Sequence, residues 1–190
     1  CCSEILEAQA ISGAKELDRK REAGESLGAL HGLPISIKGH ISLEGTTNCR
    51  GYVVDCLSPA SLSNLKIESA EQAALISPGS VGKYVADSTA PLVRALLHAG
   101  AIVIAKTTMP QTVMHLDTTN NLYGQTLNPY NLALSPGGSS GGESAMVACG
   151  ASMLGLGTDL HPNGSLQRPK FIDSIVFFRD FVLRMIFTKN

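Results

Sequence analysis

Residues 137–143 read Gly-Gly-Ser-Ser-Gly-Gly-Glu, and this segment is the sharpest local signal in the 190-residue chain. Glycines on both sides of two hydroxyl-bearing side chains allow close backbone approach and dihedral angles that other residues rarely adopt. A flexible linker, an anion-binding loop before a helix and a loop that presents catalytic serines can all have this composition. No Gly-Lys-Ser or Gly-Lys-Thr follows the segment, which weakens the phosphate-binding interpretation.

The segments on either side of this loop predict ordered structure. Residues 143–149 are small enough to form a helix that packs closely on a sheet, and the apolar run at residues 153–157 predicts a strand. Residues 107–136 are rich in polar and turn-forming side chains. They predict a long ordered loop, which lies either beside a site or simply on the surface.

Two elements are expected near the amino terminus. Ser3 is a suitable cap for a helix that continues through Glu4 and ends at Gly24. Residues 33–37 then alternate between apolar and other side chains, with both isoleucines on one face, and predict a strand. Lys38 follows this strand and is therefore expected at an edge of the core.

A further helix and strand follow before residue 107. Ser88 or Thr89 is the expected cap of the helix, Pro91 lies in its first turn and Gly100 ends it. Residues 101–105 are apolar and predict a buried strand. The expected buried stripe of the helix is Leu92, Val93, Leu96 and Leu97. Alternation of helices with apolar strands predicts the α/β fold class.

Composition excludes several classes of partner. The chain is 44% hydrophobic and 16% charged, with a net charge of -1, which is sufficient for one globular domain with a buried core. No global positive field would attract nucleic acid or an acidic membrane surface. Charges also interrupt the Phe-rich carboxyl-terminal stretch too often for a membrane span, so that a helix or strand is expected there. A small neutral substrate fits best.

The cysteines give an expectation about the cellular compartment. The chain has 5 of them, an odd number without metal-ligand spacing, which argues against a closed disulfide framework. Reduced thiols and a cytoplasmic location are expected. The cysteines are Cys1, Cys2, Cys49, Cys56 and Cys149.

Four motifs in order give the chain a resemblance to a known family. They are Leu-His-Gly-Leu-Pro-Ile-Ser-Ile-Lys at 30–38, Ala-Gly-Ala at 99–101, the Gly-Ser segment at 137–143 and Gly-Thr-Asp at 157–159. Together they resemble the amidase signature family. Residues 109–116 and 120–130 are most similar to its fungal acetamidase-like members. The resemblance implies an amidase signature fold in which helices flank a partial mixed sheet, with the carboxyl-terminal part missing.

The resemblance also implies a division of the chain. Residues 1–169 would form a partial amidase signature domain, in which residues 57–82 are expected to be an insertion that can be deleted. Residues 170–190 would be a divergent apolar tail, poorly suited to cover the edge of the sheet. The chain is then expected to be a fragment of a longer enzyme, a degenerate copy of it, or the product of a faulty gene translation.

The family's mechanism is a Ser-Ser-Lys relay without metal or organic cofactor. A serine hydroxyl needs a base during attack, and a lysine serves as that base only if burial lowers its pKa toward neutrality. By motif position Lys38 is the base and Ser139 is the bridging serine, which has an unusual cis peptide in the family. The implied supporting residues are Gly137, Gly138, Ser140, Asp159 and Gly164.

The expected nucleophile is Ser165, although the motif around it departs from the family pattern. Counting from Asp159 places the family serine at Asn163, and a two-residue insertion brings Ser165 into the role instead. Pro162 in this loop has no N–H to donate to an oxyanion. Two functions therefore remain open: cleavage of carboxylic acid amides to acid plus ammonia or amine, and an inactive amidase fragment that acts at most as an interaction protein. The sequence does not define an oligomeric state.

Overall fold

The computed structural model describes residues 1–48, 50–52, 85–159 and 173–178. These residues form an α/β structure, in which helices flank a mixed sheet of five strands, together with a small two-stranded hairpin. The helices are α1 (Glu7–Glu22), α2 (Pro91–His98) and α3 (Gly141–Ala148). The strands are β1 (Cys2–Ile5), β2 (Pro34–Lys38), β3 (Ile102–Thr107), β4 (Thr119–Asn120), β5 (Gly124–Gln125), β6 (Leu154–Asp159) and β7 (Asp173–Phe178).

The order of the strands places β2 at the centre of the sheet. The order is β1-β3-β2-β6-β7, in which β2 is parallel to both β3 and β6. The outer strands β1 and β7 are antiparallel to their neighbours. Because β2, β3 and β6 run in the same direction, their carboxyl ends meet at one edge of the sheet. Lys38, the last residue of β2, lies at that edge.

One face of the sheet is apolar. Ile35 pairs with Val103 on one side and Leu154 on the other, and Ile37 pairs with Leu156. Residues paired in register point to the same face, so these five side chains form a continuous layer. They are buried together with Leu6, Leu43, Val93 and Ala101. The predicted shared face of the two isoleucines is thus the main core of the described residues.

The opposite face of the sheet is partly polar and is covered by α3. Ser36 and Lys38 alternate with the two isoleucines along β2 and therefore point toward this face. A Cβ at Gly155 of β6 would collide with the side chains of Glu143 and Val147 of α3. Glycine at this position lets the helix pack closely against the strand.

The first helix begins later than expected. Ser3 does not cap it, because residues Cys2–Ile5 pair with β3 as a strand and the helix begins at Glu7. The Ser3 hydroxyl instead donates a hydrogen bond to the carbonyl of Thr107. Pairing with a distant strand has overridden the local capping signal. Gly24 follows the end of the helix with a φ of 71°, as expected of a terminating glycine.

The second helix also differs from its expected form at its start and along its face. Ala90 is its N-cap residue, and Thr89 Oγ1 instead accepts a hydrogen bond from the N–H of Glu44. Pro91 has no N–H, so this helix has one fewer donor for a cap to satisfy. Val93 is its one fully buried side chain, whereas Leu92 and Leu97 are 40% and 37% exposed. The buried stripe is therefore narrower than expected.

The carboxyl-terminal stretch contributes a strand to the sheet. Residues Asp173–Phe178 pair with all six residues of β6. The expectation that this stretch would leave the sheet edge uncovered is therefore wrong for these residues. The expected insertion at 57–82 and residues 179–190 lie outside the described part of the chain. Within that part, no helix is long and apolar enough to span a membrane, and Cys1, Cys2 and Cys149 are free thiols.

Candidate active site

Lys38 lies at the carboxyl-terminal end of β2, and its side chain is fully buried. Its Nζ is 2.6 Å from Ser139 Oγ. The same nitrogen is 3.0 Å from Thr158 Oγ1 and 3.4 Å from the carbonyl oxygen of Thr158. The structure thus brings together two of the three predicted catalytic residues, which are separated by 101 positions in the sequence.

Ser139 lies in the loop that precedes α3, and the glycines before it are required by its geometry. Gly137 has a φ of 86°, which favours glycine, and the Gly138–Ser139 peptide bond is cis. A Cβ at Gly138 would lie 2.8 Å from backbone atoms of Asp117 and from the carbonyl oxygen of His115. The glycines therefore let the serine loop pack tightly on residues 115–117.

Ser140 fixes the other end of this loop to the sheet. It is the N-cap residue of α3, but its hydroxyl makes no cap hydrogen bond. Ser140 Oγ instead donates to the carbonyl of Thr158 at 2.9 Å and accepts from the N–H of Thr158 at 3.2 Å. Because Thr158 also contacts Lys38, one residue of β6 contacts both Lys38 and the serine loop. The supporting role expected for Ser140 stays a prediction.

Thr118 is a site residue that the sequence analysis missed. Its side chain is fully buried. Its Oγ1 donates to the carbonyl of Gly137 and accepts from the N–H of Gly141, both at 2.9 Å. One hydroxyl therefore spans the two ends of the segment that contains Ser139 and Ser140. Thr118 lies between the two acetamidase-like stretches at 109–116 and 120–130 but belongs to neither, so its role is apparent only in the fold.

Residues 117–135 of the long loop support the same segment from outside. Asp117 Oδ1 accepts hydrogen bonds from the N–H of Thr118, at 2.7 Å, and from the hydroxyl of Ser135. Ser135 Oγ in turn accepts from the N–H of Gly137 at 2.9 Å. Of the two positions expected for this loop, the structure places it beside the site.

Glu143 contributes a carboxyl group that is completely buried between α3 and the sheet. Ser36 donates to its Oε2 at 2.6 Å, and Thr107 donates to its Oε1 at 2.8 Å. Burial raises the pKa of Glu143 to about 8, and the two hydrogen bonds only partly oppose this shift. An acidic residue inside a helix of small apolar residues was the available sequence signal for a buried carboxyl group.

A second buried lysine and a histidine lie near Lys38. Lys106 is fully buried and donates to Thr46 Oγ1 at 3.3 Å and to the carbonyl of Thr47 at 2.8 Å. Burial lowers the pKa of His40 to about 4, and the positive charges of Lys38 and Lys106 add to this shift. His40 is therefore neutral at physiological pH and adds no further positive charge beside the site.

The remaining predicted site residues are not brought to Lys38 by the described structure. Ser165 and Gly164 lie outside the described residues, and for Asp159 the structure gives only its backbone pairing with Asp173. Among the described residues no cluster of histidine, cysteine and acidic side chains could hold a metal ion. A groove of about 330 Å³ between α1, α2 and β3 has no site residue in its lining.

The described residues thus hold a buried lysine against a Gly-Ser loop at one edge of a mixed α/β sheet. A model of the family described as Amidase matches residues 1–77 and 79–169. The chain therefore belongs to the amidase signature family. This match runs through most of the expected insertion at 57–82, whose dispensability stays a prediction.

Several relatives and solved structures are similar to the chain. It is 38% identical over 170 residues to "Amidase 2" of Gibberella moniliformis, covering 89% of this chain and 28% of that protein. It is 36% identical over 181 residues to "Acetamidase" of Aspergillus oryzae, covering 94% of this chain and 28% of that protein. The structure of a fatty acid amide hydrolase superposes with a TM-score of 0.65 at 32% identity, covering 84% of this chain and 24% of the other. The chain spans less than a third of each of these proteins.

Proposed function

We propose that the protein hydrolyses carboxylic acid amides, with Lys38 as base, Ser139 as proton relay and Ser165 as nucleophile. The observation that carries the proposal is the 2.6 Å distance between Lys38 Nζ and Ser139 Oγ. A proton can pass directly between two atoms at this separation. Membership of the amidase signature family supports the reaction class, and the motif order supports the assignment of Ser165.

The surroundings of Lys38 favour its role as a base. A neutral amine has one lone pair and two N–H groups. The lone pair of Lys38 can accept the Ser139 hydroxyl proton, while its two N–H groups donate to the side chain and carbonyl oxygen of Thr158. Complete burial penalises the charged ammonium form. Burial together with these oxygen partners therefore supports a Lys38 that gains and loses a proton during each turnover.

The proposed reaction proceeds through an acyl-enzyme. Ser165 Oγ attacks the amide carbon, its proton passes to Ser139 Oγ, and the Ser139 proton passes to Lys38 Nζ. The tetrahedral intermediate collapses when the C–N bond breaks, and the leaving nitrogen takes the proton back through the same relay. Water then attacks the ester, again losing a proton to the relay, and the acid and free Ser165 are released. The acyl-enzyme intermediate divides one difficult hydrolysis into two easier steps.

The experiment measures release of ammonia from acetamide and benzamide. Lys38→Ala, Ser139→Ala and Ser165→Ala are each expected to lower kcat/KM by about 10²–10⁴-fold. Asn163→Ala serves as the matched control, because Asn163 occupies the alternative nucleophile position in the same loop. It is expected to leave kcat/KM within about twofold of the parent protein.

Two outcomes would contradict this proposal. Loss of activity in Asn163→Ala but not in Ser165→Ala would show that Ser165 is the wrong residue. Hydrolysis by the parent protein no faster than by Lys38→Ala would favour the alternative, an inactive homologue that acts at most through binding. The lengthened loop with Pro162 and Asn163 is the sequence feature that favours this alternative.

A further inference from the structure

Glu143 has no place in the proton relay, yet it lies at the junction of the site with the sheet. It belongs to the first turn of α3, immediately after the loop that carries Ser139. Its carboxyl group is completely buried and bonded to hydroxyl groups of two different strands. Burying a carboxyl group is costly unless it is neutral or well bonded, so this arrangement needs a physical explanation.

The two strand partners of Glu143 are direct neighbours of Lys38. Ser36 precedes Lys38 by two positions on β2 and therefore shares its face of the sheet. Thr107 is the residue of β3 that pairs with Lys38 in register. The carboxyl group thus bonds to Ser36, which lies beside Lys38 on the same face of β2, and to Thr107, which lies opposite Lys38 on β3.

A third strand, β6, determines how closely α3 can approach the sheet. On β6, a Cβ at Gly155 would collide with Glu143 Oε2. The absence of a side chain there provides the space that the carboxyl group occupies. Glu143 is therefore enclosed by three strands, bonded to two of them and in close contact with the third.

Burial favours a neutral carboxyl group on Glu143 at physiological pH. Burial raises the pKa of Glu143 to about 8, the hydrogen bonds from Ser36 and Thr107 and the charge of Lys38 oppose this shift, and Cys2 on β1 adds a smaller increase. The neighbouring groups on β2, β3 and β6 are Ser36, Thr107 and Gly155, which do not titrate in this range. An ionised Glu143 would stabilise Lys38 as an ammonium ion, which cannot act as a base.

We propose that Glu143 is a positioning residue, which joins the helix that follows Ser139 to the two residues that flank Lys38 and so fixes the distance between Lys38 and Ser139. The inference rests on the proposed function only for the role of Lys38 as base. In its neutral form Glu143 donates its proton to one of the Ser36 and Thr107 hydroxyl groups and accepts a hydrogen bond from the other. It thus holds this geometry without supplying a negative charge that would keep Lys38 protonated.

The test compares two substitutions at Glu143 with a matched control. Glu143→Gln keeps two polar atoms and the shape of the side chain but cannot ionise, whereas Glu143→Leu removes both hydrogen bonds. Thr46→Val is the control, because Thr46 is also buried and its hydroxyl also has two partners, Leu43 and Lys106, away from Ser139.

Glu143→Leu is expected to lower kcat for benzamide by about 10-fold to 100-fold, with KM within about twofold, since misplacing reacting groups affects mainly the chemical step. Glu143→Gln is expected to restore kcat to within about threefold near pH 7. Above about pH 8 the rate of the parent protein should fall as Glu143 ionises, and the rate of Glu143→Gln should not. The Thr46→Val control should behave as the parent protein.

A second readout does not depend on turnover. In protein labelled with carbon-13 lysine, the Cε signal of Lys38 is assigned by its disappearance in Lys38→Met. This signal is expected to move in Glu143→Leu and to stay near its original position at pH 7 in Glu143→Gln and Thr46→Val. If Glu143→Leu does not fold, Ser36→Ala and Thr107→Val remove the two hydrogen bonds separately and should each move the signal.

The two readouts separate failure of this inference from failure of the proposed function. If neither the parent protein nor any variant hydrolyses amides but the Lys38 signal responds as expected, the positioning role stands and the proposed function fails. An unchanged Lys38 signal in Glu143→Leu would overturn the inference. If Glu143→Leu does not fold, an unchanged signal in both Ser36→Ala and Thr107→Val would overturn it. Equal loss of kcat in Glu143→Gln and Glu143→Leu near pH 7 would also overturn it.

Discussion

The two faces of the central sheet differ in chemistry although the same strands form both. On one face Ile35 and Ile37 pack with Val93 and other aliphatic side chains in a continuous core. On the other face Ser36 and Lys38, which alternate with them along β2, meet the polar loop and the first turn of α3. Along β2, residues that form the core therefore alternate with residues that form the site, one position apart in the sequence.

This separation indicates that stability and chemistry can be changed independently. Aliphatic burial on the first face stabilises the fold by about 25 cal/mol per Å² of apolar surface removed from water. The second face buries an amine, a carboxyl group and several hydroxyl groups, whose desolvation opposes folding unless each is bonded. The polar face is therefore expected to lower the free energy of unfolding, although it holds the geometry of the proposed site.

The largest expected effect is on activity, from a change on the polar face. Lys38→Met should lower kcat/KM for benzamide by about 10²–10⁴-fold, since no base remains. The same change should leave the urea unfolding midpoint equal or higher, because methionine fills a similar volume without a buried amine. A large fall in the unfolding midpoint would show that the polar face also supports the fold.

The next effect in size is on stability, from a change on the apolar face. Ile37→Ala removes a side chain that is fully buried in the core. It should lower the free energy of unfolding by about 2–5 kcal/mol, because the cavity cannot close completely. Activity per folded molecule should stay within about twofold, measured well below the unfolding transition. A tenfold loss under those conditions would contradict the independence of the two faces.

The smallest expected effect comes from the removal of one hydroxyl group on the polar face. Thr118→Val leaves the carbonyl of Gly137 and the N–H of Gly141 without their shared partner, which should cost about 1–3 kcal/mol of stability. It should also lower kcat, because the Ser139 loop is no longer held at both ends. Thr118→Ser keeps the hydroxyl and should recover most of both losses. Equal behaviour of the two variants in urea unfolding and in kcat would contradict this role.

Local signals predicted the parts of the site that depend on neighbours in sequence. The strand before Lys38 and the helix after Ser140 follow from alternation and from small-residue composition, and both are present. The position of Lys38 against Ser139 was expected from family motifs and is the geometry observed. The strand and the helix depend on short-range patterns that a single sequence contains, whereas the contact between Lys38 and Ser139, 101 positions apart, was expected only through the resemblance to a family.

Features that depend on distant partners could not be predicted in this way. Ser3 has a good local capping pattern, but its segment pairs with β3 about a hundred residues later. The roles of Thr118 and Glu143 arise only when residues far apart in sequence become neighbours. The role of Ser165 stays a prediction, because its segment lies outside the described residues.

The 101 positions between Lys38 and Ser139 have a consequence for folding kinetics. Closing a chain of this length costs entropy before any contact stabilises it, and parallel pairing of β2 with β3 and β6 adds further long connections. Assembly of the site is therefore expected to be slow and to coincide with completion of the sheet. A nascent chain cannot bring Lys38 and Ser139 together until residue 139 has left the ribosome, so the pair forms only after β2 and β3 have been synthesised.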